Sequence, residues 1–226
     1  MIPRRIAIPA LIALCAPAAQ AQDAASLLPF TARGNEPFWS LTVTPDGTTY
    51  TDMEGTTLTG PYAEPAVDGS TFVFTTAAGA LGLTESLCRD SMSGMPYPFT
   101  VTLTRDGADL PGCAGDPARL LAGDWVVTRL DGAALPKGAD VTLSFDAGRI
   151  AGLAACNRFT GSFTLTGEGL AIGPVAGTRM ACPAPLMDTE SAVYAAFARV
   201  TQFDIAPDGS LLLKADETTT LFTAIR

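Results

Sequence analysis

Few side chains in this sequence could do covalent chemistry, and their spacing narrows the choice further. Beyond the N-terminal segment the cysteines are Cys88, Cys113, Cys156 and Cys182, with 25 positions between the first two and 26 between the last two. Redox pairs and zinc sites want close C-x-x-C spacing, which is absent, whereas separations of this size suit structural bridges. Four cysteines permit three connectivities, and the spacing favours one bridge per half, Cys88–Cys113 and Cys156–Cys182. Each such loop would stabilise the folded chain by about 3 kcal/mol in the chain-entropy picture. Histidine does not occur at all. That removes Ser-His-Asp and Cys-His catalysis and the commonest zinc ligand. Asp204, Asp208, Asp216 and Glu217 gather near the C-terminus, but their spacing matches neither an EF-hand loop nor a pair of catalytic carboxylates, so they read as turn residues on a solvated face. No nucleophile, base or metal constellation assembles. The sequence therefore points to a protein that is not an enzyme and uses no cofactor.

Positioning these residues falls mainly to short strands. Residues 38–44, F-W-S-L-T-V-T, alternate apolar with hydroxyl side chains, the period of a half-buried strand, and P-D-G at 45–47 turns the chain into 48–50. Residues 71–75 and 97–103 read as further strands, the latter ending at the Arg105-Asp106-Gly107 turn. Trp39 is the expected core anchor here, with Gly34 and Asn35 supplying a turn. After Gly115-Asp116-Pro117-Ala118 a second patterned half begins, with strands expected at 124–130, 141–145, 149–153, 159–166, 170–172, 202–205, 211–214 and 219–225. One helix is expected at about 185–199, where Leu186, Val193, Phe197 and Val200 fall at spacings of 7, 4 and 3, a single helical face. Pro185 suits its first turn, and Asp188 and Glu190 lie toward the positive end of its dipole.

Residues 1–21 carry Arg4 and Arg5, then an apolar run, then Ala19-Gln20-Ala21, the pattern of a cleaved secretory signal; lipid anchoring through Cys15 is the alternative, though Leu14 sits where such signals want a small residue. No later stretch approaches the roughly 20 apolar residues of a membrane helix. Cleavage leaves 12 basic against 23 acidic residues and moves the net charge from −9 to −11. Nucleic acid and anionic bilayers would repel such a chain.

Two stretches of the second half carry a resemblance. Cys156-Asn157-Arg158-Phe159-Thr160-Gly161-Ser162-Phe163 and Thr178-Arg179-Met180-Ala181-Cys182-Pro183 resemble the core signature of the META domain, or HslJ-like, family. Leu121-Ala122-Gly123-Asp124-Trp125 resembles its opening L-x-G-x-W, Gly152 its central glycine and Glu190 its helix carboxylate. Ala155 stands where the family usually has glycine, so a changed local dihedral is expected there. The resemblance implies a curled sheet or open barrel around one helix, in a bacterial envelope protein associated with heat or envelope stress and tolerance of toxic compounds. It also implies likeness to outer-membrane pilotins that hold acyl chains. A gap between helix and sheet, at Leu186, Val193 and Phe197, would admit a lipid tail; otherwise these residues simply fill the core. Arg158 and Arg179 belong to the two signature blocks. They would either pair with acids such as Asp124 or Glu190, or hold an anionic headgroup or a partner's carboxylate.

In the first half, Arg33-Gly34-Asn35-Glu36-Pro37-Phe38-Trp39, Cys88 to Pro98 and Leu110-Pro111-Gly112-Cys113 are similar to blocks of an uncharacterised exported domain often found beside META domains. Ser91-Met92-Ser93-Gly94-Met95-Pro96-Tyr97 also resembles the S-x-S-G-x-x-Y loop by which periplasmic inhibitors enter the cleft of c-type lysozymes, through Ser91, Ser93, Gly94 and Tyr97. The expected architecture is mainly β, with α+β character in the C-terminal half: a signal peptide over 1–21 and two small antiparallel β domains over 22–116 and 117–226. The expected partner is an apolar small molecule, a lipid or an envelope protein, met in the periplasm.

Overall fold

The computed structural model describes residues 24–226; the signal-peptide and Cys15 readings lie outside the described residues. The chain is mostly β, in two curled half-barrel sheets with one packed helix in the C-terminal part. A 3-10 turn (Ala24–Leu27) leads into β1 (Phe30–Asn35), β2 (Phe38–Thr44), β3 (Gly47–Asp52), β4 (Thr57–Gly60), β5 (Ala66–Asp68), β6 (Thr71–Thr76) and β7 (Gly79–Thr84). A two-stranded ribbon, β8 (Cys88–Arg89) with β9 (Pro96–Tyr97), precedes β10 (Phe99–Arg105) and β11 (Ala108–Ala114). The first sheet runs β4-β3-β2-β1-β11-β10-β7-β6-β5.

The second half opens with α1 (Ala118–Leu121) and β12 (Gly123–Leu130), then β13 (Ala133–Ala134), β14 (Val141–Asp146), β15 (Arg149–Ala154), β16 (Asn157–Leu165) and β17 (Leu170–Gly177). Helix α2 (Ala184–Phe197) and strands β18 (Gln202–Ile205), β19 (Leu211–Lys214) and β20 (Thr220–Ile225) complete it. Its order is β17-β16-β15-β14-β12-β20-β19-β18, with β13 pairing β12.

Period-two alternation explains the cores. Trp39, Leu41 and Val43 of β2 and Phe99, Val101 and Leu103 of β10 are buried, while Ser and Thr between them face outward. Val141, Leu143 and Phe145 of β14 do the same in the second half. Two-residue turns set the register where both central residues take positive φ, as at Asp106-Gly107 (52° and 80°) and Ala147-Gly148 (43° and 79°).

Three sequence readings change. Gly34 is not a turn residue but a strand residue of β1 opposite Trp39, and any side chain there would collide with the indole. The expected strand 97–103 is broken at Pro98, which leaves Tyr97 paired with Cys88 in the ribbon. The helix is shifted toward the N-terminus, starting just after Pro183, and neither Asp188 nor Glu190 falls in its first turn.

The Cys88–Tyr97 ribbon joins the halves. Its base is bonded to β11 through Cys88–Cys113, and its tip reaches the second half. Met95, only 2% exposed, belongs to the second half's hydrophobic core, and Tyr97 packs against that core. Arg89 donates through Nε to both Asp204 carboxylate oxygens (3.1 and 3.2 Å) and through Nη2 to the Ile205 carbonyl (2.9 Å). Met95→Ala should therefore destabilise the half that Met95 does not belong to by sequence, by about 2–4 kcal/mol. A Trp39→Phe background leaves Trp125 as the fluorescent reporter of the second half. The urea midpoint it reports should fall; an unchanged midpoint would show that Met95 does not anchor the ribbon there.

Candidate functional site

Two places gather the residues singled out by sequence. One is the polar junction beneath the start of α2. Asn157, 1% exposed at the head of β16, donates its backbone N–H and its Nδ2 to Glu190 Oε2, at 2.9 and 3.0 Å. The same Nδ2 donates to the Met180 carbonyl (3.2 Å), while Oδ1 accepts from Thr178 Oγ1 (2.7 Å) and the Met180 amide (2.8 Å). Cys156 is bonded to Cys182 alongside. One amide side chain thus ties together a strand end, the 178–182 segment and the helix. This pattern satisfies the Asn157 donors and acceptors within the chain.

Around it the other signature residues have structural work. Trp125 is buried, donates Nε1–H to the Leu121 carbonyl (2.9 Å) and lies under the Arg226 guanidinium. Gly152 sits where a side chain would run into the Thr142 carbonyl and approach the Phe159 ring, and one at Gly161 would press on Val175. Ala155 takes φ of 61°, so alanine bears the left-handed strain there.

Val193 and Phe197 are buried in the core, Leu186 is half-buried, and Phe197 packs on Phe159 and Phe222 with centroids 5.1 and 5.2 Å away. The chain's own rings fill the space in which the groove reading placed a lipid tail. Tyr194 joins this aromatic group, its phenol pushed up by burial and by Glu190, and its hydroxyl has no hydrogen-bond partner among the described residues. Arg158 and Arg179 are exposed and enter no ion pair among the described residues, contrary to the expected pairing with Asp124 or Glu190; the Glu190 carboxylate is taken by Asn157 instead. Met180 exposes 56% of its surface while its backbone is held by Asn157.

The second place is a cleft of about 640 Å³ between the halves. Thr31 and Arg33 of β1 and Thr42 of β2 form one wall, on the face of the first sheet turned away from its core, with Tyr97 and Cys113 beside them. The opposite wall is the Phe145 to Gly148 turn with Phe163, Leu165 and Gly167, and the linker at 115–118 runs along it. Thr31 and Thr42 share a hydroxyl hydrogen bond of 3.1 Å. Tyr97 is pushed up by burial, with Arg33 beside it pulling the other way. Residue spacing gives no hint of this cleft, because its walls come from segments more than a hundred positions apart.

The ribbon loop is held from within. Asp90 accepts from Met92 and Ser93 amides, from Ser93 Oγ and from Asn35 Nδ2. Burial pulls the Asp90 carboxyl upward, but these donors together outweigh it and hold it below the ordinary carboxylate range. Ser91 accepts from Asn35 (2.9 Å). Ser91, Met92 and Gly94 are exposed, whereas Ser93 is partly covered and Tyr97 lies between the halves. At the C-terminus, Asp208 accepts the Ser210 amide, and Asp216, held at about 2 by hydrogen bonds from Thr218 and Thr219, caps its own turn. Among the described residues no group of acids, cysteines or histidines is arranged to hold a metal, and no helix is long and apolar enough to cross a membrane.

Residues 118–225 match the family model of the META domain, over the stretch that holds the Asn157 junction. The C-terminal half is a META domain. META domains are bacterial envelope-associated modules, generally non-catalytic. None of the curated proteins matches the chain. Among solved structures, an NMR structure of a protein from Burkholderia xenovorans is similar at 28% identity, over 47% of this chain and 83% of that one, with a TM-score of 0.39.

Within the META domain, Asn157→Ala would strand the Thr178 and Met180 donors and leave Glu190 buried with neither partner from that side chain. The expected loss is about 2–4 kcal/mol in a denaturant titration. Ala155→Gly should gain about 1 kcal/mol by relieving the left-handed alanine. If Asn157→Ala costs no more than an average surface change, the junction is not the fastening described.

Proposed function

We propose that this chain is a non-catalytic exported protein of the bacterial envelope, built from units at 22–116 and 117–226, whose task is to bind. The observation that carries this reading is the cleft between the halves. Its volume of about 640 Å³ falls within the range of small-molecule sites, and its hydroxyl and guanidinium wall faces an aromatic one, the mixture such sites use. The two disulfides support a periplasmic setting, since they persist in oxidising compartments. A binding role is the form in which the META family's association with envelope stress and toxic compounds would apply here. We assign the Ser91 to Tyr97 loop to holding the halves together, because Met95 and Tyr97 are engaged with the second half.

The test uses chain purified from an oxidising compartment and weighed by native mass spectrometry before and after denaturation. An added mass, lost on denaturation, is expected from the wild type. Thr42→Trp should remove it by filling the cleft from an outward-facing strand position that tolerates an aromatic. A wild type that carries nothing and takes up nothing from an envelope extract, or a Thr42→Trp variant that keeps the added mass, would overturn the cleft as the binding site.

A further inference from the structure

We infer that the cleft takes a monoanionic amphiphile, a single carboxylate on an aromatic or short acyl body, with Arg33 as its anchor. The inference rests on the cleft reading and goes beyond it by naming the ligand's chemistry.

Arg33 projects from the outward face of β1 into the cleft and enters none of the ion pairs among the described residues. Within the cleft its planar fork can match a ligand's carboxylate in two parallel hydrogen bonds. The Tyr97 phenol lies against Arg33. Tyr97 lines the same cleft, and its O–H can donate to the same anion. Opposite stand Phe163 and Leu165, both only partly covered by the chain, beside the buried Phe145. An apolar body seated there would take that surface out of water, and a flat ring would meet Phe163.

The limit to one negative charge comes from the rim. Asp116 and Asp146 also line the cleft and both are exposed. Asp116 Oδ1 accepts the Ala118 amide and so has its acceptor face turned to the linker. One cation facing two carboxylates accommodates a single anionic group at Arg33, and a second would meet repulsion.

The experiment follows backbone amide shifts of the 15N-labelled, disulfide-bonded chain during titration with 3-phenylpropanoate, 3-phenylpropanamide and the dianion benzylmalonate. The propanoate should shift the Thr31, Gly148 and Gly167 amides and bind roughly tenfold more tightly than the amide, the gain expected of charge-assisted hydrogen bonds. Benzylmalonate should bind no more tightly than the monoanion. Arg33→Gln should bring the acid down to the level of the amide, and Arg33→Lys should keep part of the difference. If acid and amide bind alike, or Arg33→Gln leaves their difference intact, the ligand class is wrong while the cleft remains a binding site. If neither probe moves these amides at millimolar concentration, the monoanion inference fails, and the mass measurement above decides the cleft separately.

Discussion

A buried carboxylate that enters no ion pair among the described residues is the constraint on which the second half depends. Glu190 is 9% exposed, and burying an ionised acid is expensive unless donors replace its water. Asn157 supplies two of them to one oxygen, from backbone and side chain. The two residues come from a strand and a helix separated by 33 positions, so satisfying Glu190 places α2 relative to β16. Once the helix is placed, Val193 and Phe197 can face only the sheet, and the Phe159, Phe197 and Phe222 rings close the core. The Cys156–Cys182 bridge holds the same junction covalently. Closing a loop of 26 positions restricts the unfolded chain by about 3–4 kcal/mol. A polar network and a disulfide at one point make the helix position all-or-none, since a half-satisfied network would be worse than an apolar core.

This junction also explains why the signature block does no visible chemistry. Asn157 makes its bonds inward to the chain, Met180 contributes its backbone and leaves its side chain outside, and Arg158 and Arg179 point into solvent. A sequence motif dense in polar residues can be a fastening rather than a reaction centre. The difference lies in whether its donors and acceptors are consumed by one another.

How much of this was legible follows from the range of each signal. Alternating strands such as 38–44 and two-residue turns such as Asp106-Gly107 are local, and they read correctly. Strand β7, G-A-L-G-L-T, gives no clear strand signal because Gly79 and Gly82 weaken the pattern, although Leu81 and Leu83 are fully buried. Strand β11 hides Pro111 and Gly112, and Gly112 leaves room for the Trp39 ring, a pairwise fact no single stretch carries. Met95, Arg89 and Asp204 were invisible as partners for the same reason. The ribbon loop resembled an inhibitor loop because serines, glycine and tyrosine at that spacing make a tight turn; Asp90, which gathers the Met92 and Ser93 amides, makes the turn whatever the loop is used for.

Apart from Met95 and Tyr97, each half builds its core from its own residues, and Arg33, Thr42 and Phe163 at the cleft lie outside the fully buried set. That is why the cleft can carry Arg33 and Thr42 on one wall and Phe163 on the other without penalty to either core. It also sets a thermodynamic consequence. A ligand touching both walls binds only when the halves keep their relative placement, which the Met95 and Arg89 contacts hold. Ligand and ribbon therefore bias the same equilibrium, and each strengthens the other by the same factor. Loosening the ribbon must weaken any occupant of the cleft even though Met95 and Arg89 are not among its lining residues. Binding, in turn, must protect the ribbon's attachment from opening.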